Sequence, residues 1–264
     1  MRFLSEPFQL FWKHRVLLLQ TTRNDILIRH AGSVLGMFWL LLYPLMFLGV
    51  YAMMYIFIFK VRFHLLETNE YVALIFCGLI PFFGFSEALG TGVSSVVANS
   101  NLLKNTLFPI ELIPVKAALA SQATQIVGTM MLLVVLGSFG KLTPWAVLLP
   151  VIWVSQLMFT IGLLWILSSI NVLLRDIQNV VPVFILILMM VSPIAYTEDM
   201  VPTNLHPFLI INPLYYIITA NQDILMLGHN PRGTLWIVIA MGLFFFILGY
   251  SFFYRMKKVF TDNV

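Results

Sequence analysis

The chain of 264 residues is 60% hydrophobic, 14% aromatic and only 10% charged, with a mean hydropathy of +0.94; an ordinary soluble domain is roughly 45–50% apolar and about 25% charged. This composition excludes a water-soluble globule, an intrinsically disordered chain and a dedicated nucleic-acid binder, and the single cysteine, Cys77, excludes a disulfide scaffold. The net charge of +4 matters less than where the cations fall, because loop charge sets the orientation of a membrane protein.

From Pro7 to Ile28, Phe8, Phe11, Trp12, Leu18, Leu19 and Ile26 alternate with Lys13, Arg15, Arg23 and Asp25. The mixture is too charged for a span or a cleaved signal peptide. It predicts an amphipathic helix over residues 1–30, lying in the headgroup layer with its cations near lipid phosphates. Because a bilayer core of about 30 Å needs roughly 20 apolar helical residues, the uncharged intervals mark six expected spans: 31–59, 71–98, 117–140, 145–174, 177–197 and 233–254. The second contains Glu87 and is followed by a polar, proline-containing connection, Asn99 to Lys116; Arg175 and Asp176 separate the fourth from the fifth.

Residues 198–231 are different. Met200 to Gln222 carries no formal charge, yet it holds Pro202, Pro207 and Pro213 with Asn204, His206 and Asn212, which would leave backbone groups unsatisfied in lipid. Glu198, Asp199 and Asp223 flank it, so both ends face one side. The expectation is a re-entrant pair of short helices on the periplasmic side between spans five and six; a surface loop with amphipathic pieces is the alternative. The fold class expected is all-α, a polytopic membrane protein forming one domain over 1–264.

With six spans both termini share a side. That side carries Arg2, Lys13, Arg15, Arg23, Arg29, Lys104, Lys116, Arg175, Arg255, Lys257 and Lys258, against Lys60, Arg62, Lys141 and Arg232 opposite. The positive-inside rule places both termini in the cytoplasm.

Little in the sequence suits catalysis. It has no Gly-x-x-x-x-Gly-Lys-[Ser/Thr] loop, His-Glu-x-x-His or Cys-x-x-Cys, and its five histidines are scattered; no catalytic, metal or cofactor residues are assigned. Glu87, the carboxylate within a span, is a functional candidate by position, with an interhelical ion pair as the equal alternative. Trp39 and Tyr43, spaced i, i+4, share a helical face and stand either as channel-lining residues on which sugar rings slide or as part of the aromatic belt. Phe82 in span two belongs to the same set of channel-lining candidates.

Several segments resemble the membrane subunit of type-2 ABC exporters for polysaccharides and polyol phosphates. They are Arg29-His-Ala-Gly-Ser-Val-Leu-Gly-Met-Phe-Trp39 with Pro44; Asn99 to Pro109 followed by Glu111 and Pro114; Ser192-Pro-Ile-Ala-Tyr196; Asn212-Pro-Leu214; and Phe253-x-Arg255 with Phe260 and Asp262. The resemblance covers essentially the whole chain, and the O-antigen exporter permeases look nearest, with capsule and teichoic-acid exporters as neighbours. Two positions depart from the family pattern: Phe82 stands where tryptophan is frequent, and Gln222–Asp223 where an arginine is expected.

The resemblance implies a homodimer in the bacterial inner membrane, bound by two copies of a cytoplasmic ABC ATPase that holds the ATP and Mg²⁺. The implied substrate is a glycan on undecaprenyl diphosphate, an intermediate of lipopolysaccharide biosynthesis in the O-antigen case. On that reading the Asn99–Pro114 loop and the N-terminal interfacial helix dock into the ATPase, with Leu102, Leu103 and Phe108 as the apolar anchor beside Lys104; a solvated loop is the alternative. Arg15, Arg23 and Arg29, with Lys13, meet either the lipid diphosphate or bulk anionic lipid. Pro193, Tyr196, Asn212, Pro213 and Tyr215 belong to an outer gate, or to a hairpin that merely fills a lipid-facing gap. Competing readings are an intramembrane glycosyltransferase, disfavoured by the scarcity of loop carboxylates, and a drug or lipid permease of the same fold.

Overall fold

The computed structural model describes residues 2–58, 68–99, 108–196, 201–202, 204 and 206–263, and among them there is helix and turn but no strand. The helices are α1 Arg2–Lys13, α2 Arg15–His30, α3 Trp39–Ala52, α4 Thr68–Gly92, α5 Ser95–Ala98, α6 Leu112–Ser138, α7 Leu149–Leu173, α8 Ile177–Val191, α9 His206–Ile211, α10 Pro213–Gln222 and α11 Arg232–Asn263. Among the described residues five helical stretches are long and apolar enough to cross a bilayer: Gly36–Ile58, Thr68–Gly92, Leu112–Ser138, Pro144–Leu173 and Arg232–Lys258. The first joins α3 to a 3₁₀ turn before it and a π-helical turn after it.

The expected fifth span is the main difference. α8 has 15 residues and ends at Val191, because Ser192 turns extended (ψ 142°) ahead of Pro193; the proline ring's Cδ disfavours the α region for the residue before it. At 1.5 Å per residue α8 rises about 22 Å, less than a bilayer core of about 30 Å. α6 starts five residues earlier than expected, since Pro114 falls in its first turn, where a missing N–H costs no helical bond. α11 runs past the basic cluster at 255–258 to Asn263. The N-terminal region is helical but in two pieces meeting at His14. Their partners do not share a line: α1 lays Phe8 and Phe11 on Phe246 of α11 and Trp165 of α7, whereas α2 packs along α6.

α4 forms the centre, with 83% of its spanning window buried, against 11% for the α3 stretch at the periphery. Around α4 stand α3, α6, α7, α8 and α10. α7 and α11 make the most extensive helix contact in the fold, along a seam of small residues. A Cβ at Gly162 would lie 2.1 Å from the Phe245 carbonyl oxygen, one at Gly249 2.1 Å from the Gly162 oxygen, and one at Gly242 2.5 Å from the Ser155 oxygen. Such close backbone approach is how membrane helices gain packing energy where apolar side chains find equal contacts in lipid. Ser155 pairs with Gly242 and Gly162 with Gly249 in rising order, so these two helices run parallel.

Candidate functional site

The sequence placed a carboxylate inside a predominantly apolar helix, and the fold answers it from two others. Glu87 sits five residues before the end of α4. Arg29, in the last turn of α2, donates from Nη1 to Glu87 Oε1 at 2.5 Å, while its Nη2 reaches Thr91 Oγ1 at 3.3 Å. Thr124 of α6 donates to Glu87 Oε2 at 2.7 Å. A second ion pair, Lys116 Nζ to Asp25 Oδ2 at 3.0 Å, fixes α2 to α6 further along. Both members of the first pair keep some solvent exposure, as charges beside a cleft must if neither is to bear a full desolvation penalty.

That cleft has a volume of about 400 Å³ and is lined by Arg29, His30, Trp39, Tyr43, Phe83 and Glu87 with Leu40, Ser86, Thr124 and Ile185. One end therefore offers a guanidinium paired with a carboxylate, an imidazole and hydroxyls, and the wall offers aromatic faces. The wall continues along α3. Tyr43 packs on Phe47 at 4.9 Å and on Phe83 at 5.5 Å, Phe47 meets Phe83 edge-on at 5.2 Å, and Tyr51 stacks on Tyr55 at 6.0 Å. Residues 39, 43, 47, 51 and 55 thus form one i, i+4 aromatic row. At 1.5 Å per residue it covers about 24 Å. The repeat beyond Tyr43 was legible in the sequence; Phe83 and Thr124 were not, because only the antiparallel pairing of α4 with α3 and α6 brings them in.

Below the carboxylate, Gln125 of α6 fills the space a Cβ on Gly84 would take. Its Nε2 donates to Gln156 Oε1 at 3.0 Å, and Gln156 Nε2 donates to the Pro81 carbonyl at 2.8 Å. Buried amides paired across three helices hold α4, α6 and α7 in one register.

Other sequence candidates fall elsewhere. Phe82 is buried in the core and does not line the cleft; Phe83 does. Arg15 lies over the Trp12 ring, 4.6 Å from its centroid, and donates to the Trp12 carbonyl. Lys13 and Arg23 are exposed. Arg29 is the member of this basic set that reaches the cleft. Phe108 is half-buried against the core, while Leu102, Leu103 and Lys104 lie outside the described residues.

In the region between α8 and α11, two short helices, α9 and α10, occupy the segment expected to hold them. Asn212 caps α10 by accepting from the Leu214 N–H at 3.0 Å, with Pro213 as its first residue, and donates to Ser192 Oγ at 2.9 Å. The Pro193 carbonyl accepts from Gln222 Nε2 at 3.1 Å, and the Ala195 carbonyl from the Tyr71 hydroxyl at 2.7 Å. Ile194 abuts Gly78, where a Cβ would lie 3.0 Å from its Cα; Gly78 is ten residues into α4, about 15 Å along it. The Tyr196 hydroxyl donates to the Val191 carbonyl at 2.6 Å, and its ring lines an apolar cavity of about 440 Å³ with Phe208 and Leu209. Tyr215 sits edge-on to Tyr216 at 5.1 Å. Past α10, Asp223 pairs with His229 at 3.1 Å; burial pushes its carboxyl pKa up, and the His229 contact pulls it partly back.

Comparison with known proteins places these features in a family. The profile of the ABC-2 type transporter family matches residues 8–226. The O-antigen export system permease protein RfbA of Klebsiella pneumoniae is 29% identical over 249 residues, 93% of this chain and 94% of that protein. The protein of the same name from Myxococcus xanthus is 25% identical over 96% of this chain and 97% of its own length. The polysialic acid transport protein KpsM of Escherichia coli is 23% identical over 83% of this chain and 84% of its own.

Proposed function

The chain belongs to the ABC-2 type transporter family, and we propose that it is the membrane permease of an ATP-driven exporter that moves polysaccharide linked to undecaprenyl diphosphate, O antigen in the first instance, outward across the bacterial inner membrane. Two copies form the channel, and two copies of a separate ABC ATPase, holding ATP and Mg²⁺, bind on the cytoplasmic side through the Asn99–Pro114 connection and the N-terminal helices. The observation that carries this reading is the cleft. A lipid-linked glycan presents an anionic diphosphate joined to sugar rings, and the cleft sets Arg29 and His30 at one end of an aromatic row. Guanidinium binds phosphate oxygens in pairs, while aromatic faces hold the C–H surfaces of sugars without fixing one position, as a sliding polymer requires.

Six crossings belong to the same reading and are supported by the parallel seam, while the excess of Lys and Arg on the side assigned to both termini supports a cytoplasmic location for them. α7 and α11 run the same way, so an odd number of crossings lies between them, and α8 is the helix available. Its shortness leaves the outer part of that crossing to the 192–222 hairpin, whose Ile194 reaches Gly78 well inside α4. We assign this hairpin as the outer gate, with Tyr196 and Tyr215 as its moving aromatics.

Deletion of the gene tests the reading. Finished lipid-linked polysaccharide is expected to accumulate on the cytoplasmic side and to be exported again when the wild-type permease is restored. Normal export in the deletion strain refutes the assignment, and the chemical identity of the accumulated glycan distinguishes O antigen from capsule or teichoic acid.

A further inference from the structure

Among the described residues Glu111 is the one charged residue the fold buries, at 5% exposure, and neither the cleft nor the outer hairpin uses it. It lies one residue before α6, at the end of the connection assigned above to the ATPase but buried within the fold, and so outside the docking set of Leu102, Leu103, Lys104 and Phe108. Its carboxylate accepts from Lys257 Nζ of α11 at 2.5 Å. Its backbone carbonyl accepts from Trp165 Nε1 of α7 at 2.9 Å. Trp165 is fully buried, with Phe246 and Tyr250 of α11 at 5.1 and 5.3 Å and Phe11 of α1 at 6.2 Å. Glu111 is thus bonded to both α11 and α7, and α1 joins the cluster through Trp165.

Stability alone does not explain such a pair: Lys257 keeps 44% of its side chain exposed, and an ion pair with a solvated member contributes little to stability. What an ion pair supplies is a directional tie, and this one has a long lever attached. α11 is 32 residues without an internal proline, about 48 Å at 1.5 Å per residue. The glycine seam joins it to α7. At its far end it packs on α10 and follows the Asp223–Leu227 turn through Gly228, in the left-handed region at φ +69°.

We propose that the Glu111–Lys257 tie is the joint through which movement of the ATPase-facing connection is passed to α11, and by α11 to the outer helix α10. Glu111 and Lys257 are thus positioning residues for coupling and touch neither substrate nor nucleotide. The inference rests on the exporter reading and deepens it.

The test uses the permease reconstituted with its ATPase in proteoliposomes containing the lipid-linked glycan. ATP hydrolysis, copurification of the ATPase and glycan translocated per ATP are measured together. Glu111→Gln and Lys257→Met are expected to leave hydrolysis and copurification at wild-type levels and to lower translocation per ATP by about two- to thirtyfold, the range found for residues that carry coupling between sites. Lys257→Arg, which keeps the charge, should retain most of it, and the exchange of Glu111→Lys with Lys257→Glu should recover part. Unchanged translocation per ATP in Glu111→Gln overturns the inference. So does a parallel loss of hydrolysis, copurification and translocation, which marks a purely structural role. Failure of the wild-type complex itself to translocate on ATP would instead count against the exporter reading.

Discussion

The glycine seam offers the sharpest quantitative test of how the α7–α11 body is held. Alanine at Gly162 places its Cβ 2.1 Å from the Phe245 carbonyl oxygen, so the helices must part by about 0.9 Å before even that contact reaches the 3.0 Å floor of real Cβ contacts. A gap of 0.5–1 Å removes a quarter to a half of the dispersion energy of each atom pair it separates, and the seam is flanked by Trp165, Phe246 and Tyr250, packed across it. Overpacking of this kind costs about 1–3 kcal/mol and at a backbone contact tends to the upper end. Alanine also favours helix over glycine by about 1 kcal/mol, which offsets part of that cost, for a net loss of about 1–2 kcal/mol. Gly90→Ala, where nothing lies within 4 Å, isolates the propensity gain and should be neutral or stabilising. Thermal unfolding of the purified protein in detergent should show opposite signs for the two variants. Because Gly162 and Gly249 touch each other, the double alanine variant should cost less than the sum, as coupled neighbours do. Equal stabilities for Gly162→Ala and Gly90→Ala would refute the close approach and, with it, the rigid body that the Glu111 tie requires.

At the cleft, Arg29→Gln leaves Glu87 with Thr124 alone and should lower stability by about 1.5–3 kcal/mol, the range of a hydrogen bond to a charged group; adding Glu87→Gln should recover part of it in the same unfolding assay. Trp39→Ala and Tyr43→Ala should reduce glycan export while Trp39→Phe preserves it, and unchanged export with both alanines would assign them to the lipid belt. Asp223 has its pKa raised by burial, so the folded state holds the proton more tightly than the unfolded chain. Stability then falls as pH rises from the ordinary carboxylate value to the native one, and the penalty is complete above it. Asp223→Asn should therefore unfold at a higher temperature than the wild type at pH 7, with the gain shrinking as pH drops through that window.

Five long apolar helices were legible because lipid admits few alternatives: an uncharged interval of some 20 residues has little choice but to be a helix. Their ends were less so. Pro114 reads in sequence as a stop and in the fold opens α6, since proline ends one helix and begins another with the same geometry. Lys257 was visible as part of a basic cluster that set the expected orientation, but its partner Glu111 is 146 residues away, and no local pattern links them. Glu87 was singled out by position alone; that Arg29 answers it became visible only once α2 was laid along α6. Ser155 and Gly162 on α7 and Gly242 and Gly249 on α11 each stand seven residues apart in sequence, yet that the one pair meets the other is visible only in three dimensions.

The shortness of α8 is more than a boundary error in the expected 177–197 span. On the proposed topology a crossing of about 22 Å in a core of about 30 Å leaves roughly 8 Å of the outer wall without helix. Backbone that enters that space must find its partners in protein, and the Ser192–Tyr196 segment does so. Pro193 and Ala195 give their carbonyls to Gln222 and Tyr71, and Ser192 accepts from Asn212. The proline that stops α8 thus also makes room for the hairpin, and the apolar cavity beside Tyr196 is the space into which its ring can turn. A variant that lengthens α8, Pro193→Ala with Ser192→Ala, should extend the helix into that cavity, displace Tyr196 and block export while leaving ATPase binding intact. Retained export in that variant would show that the break in the helix is not what the outer gate depends on.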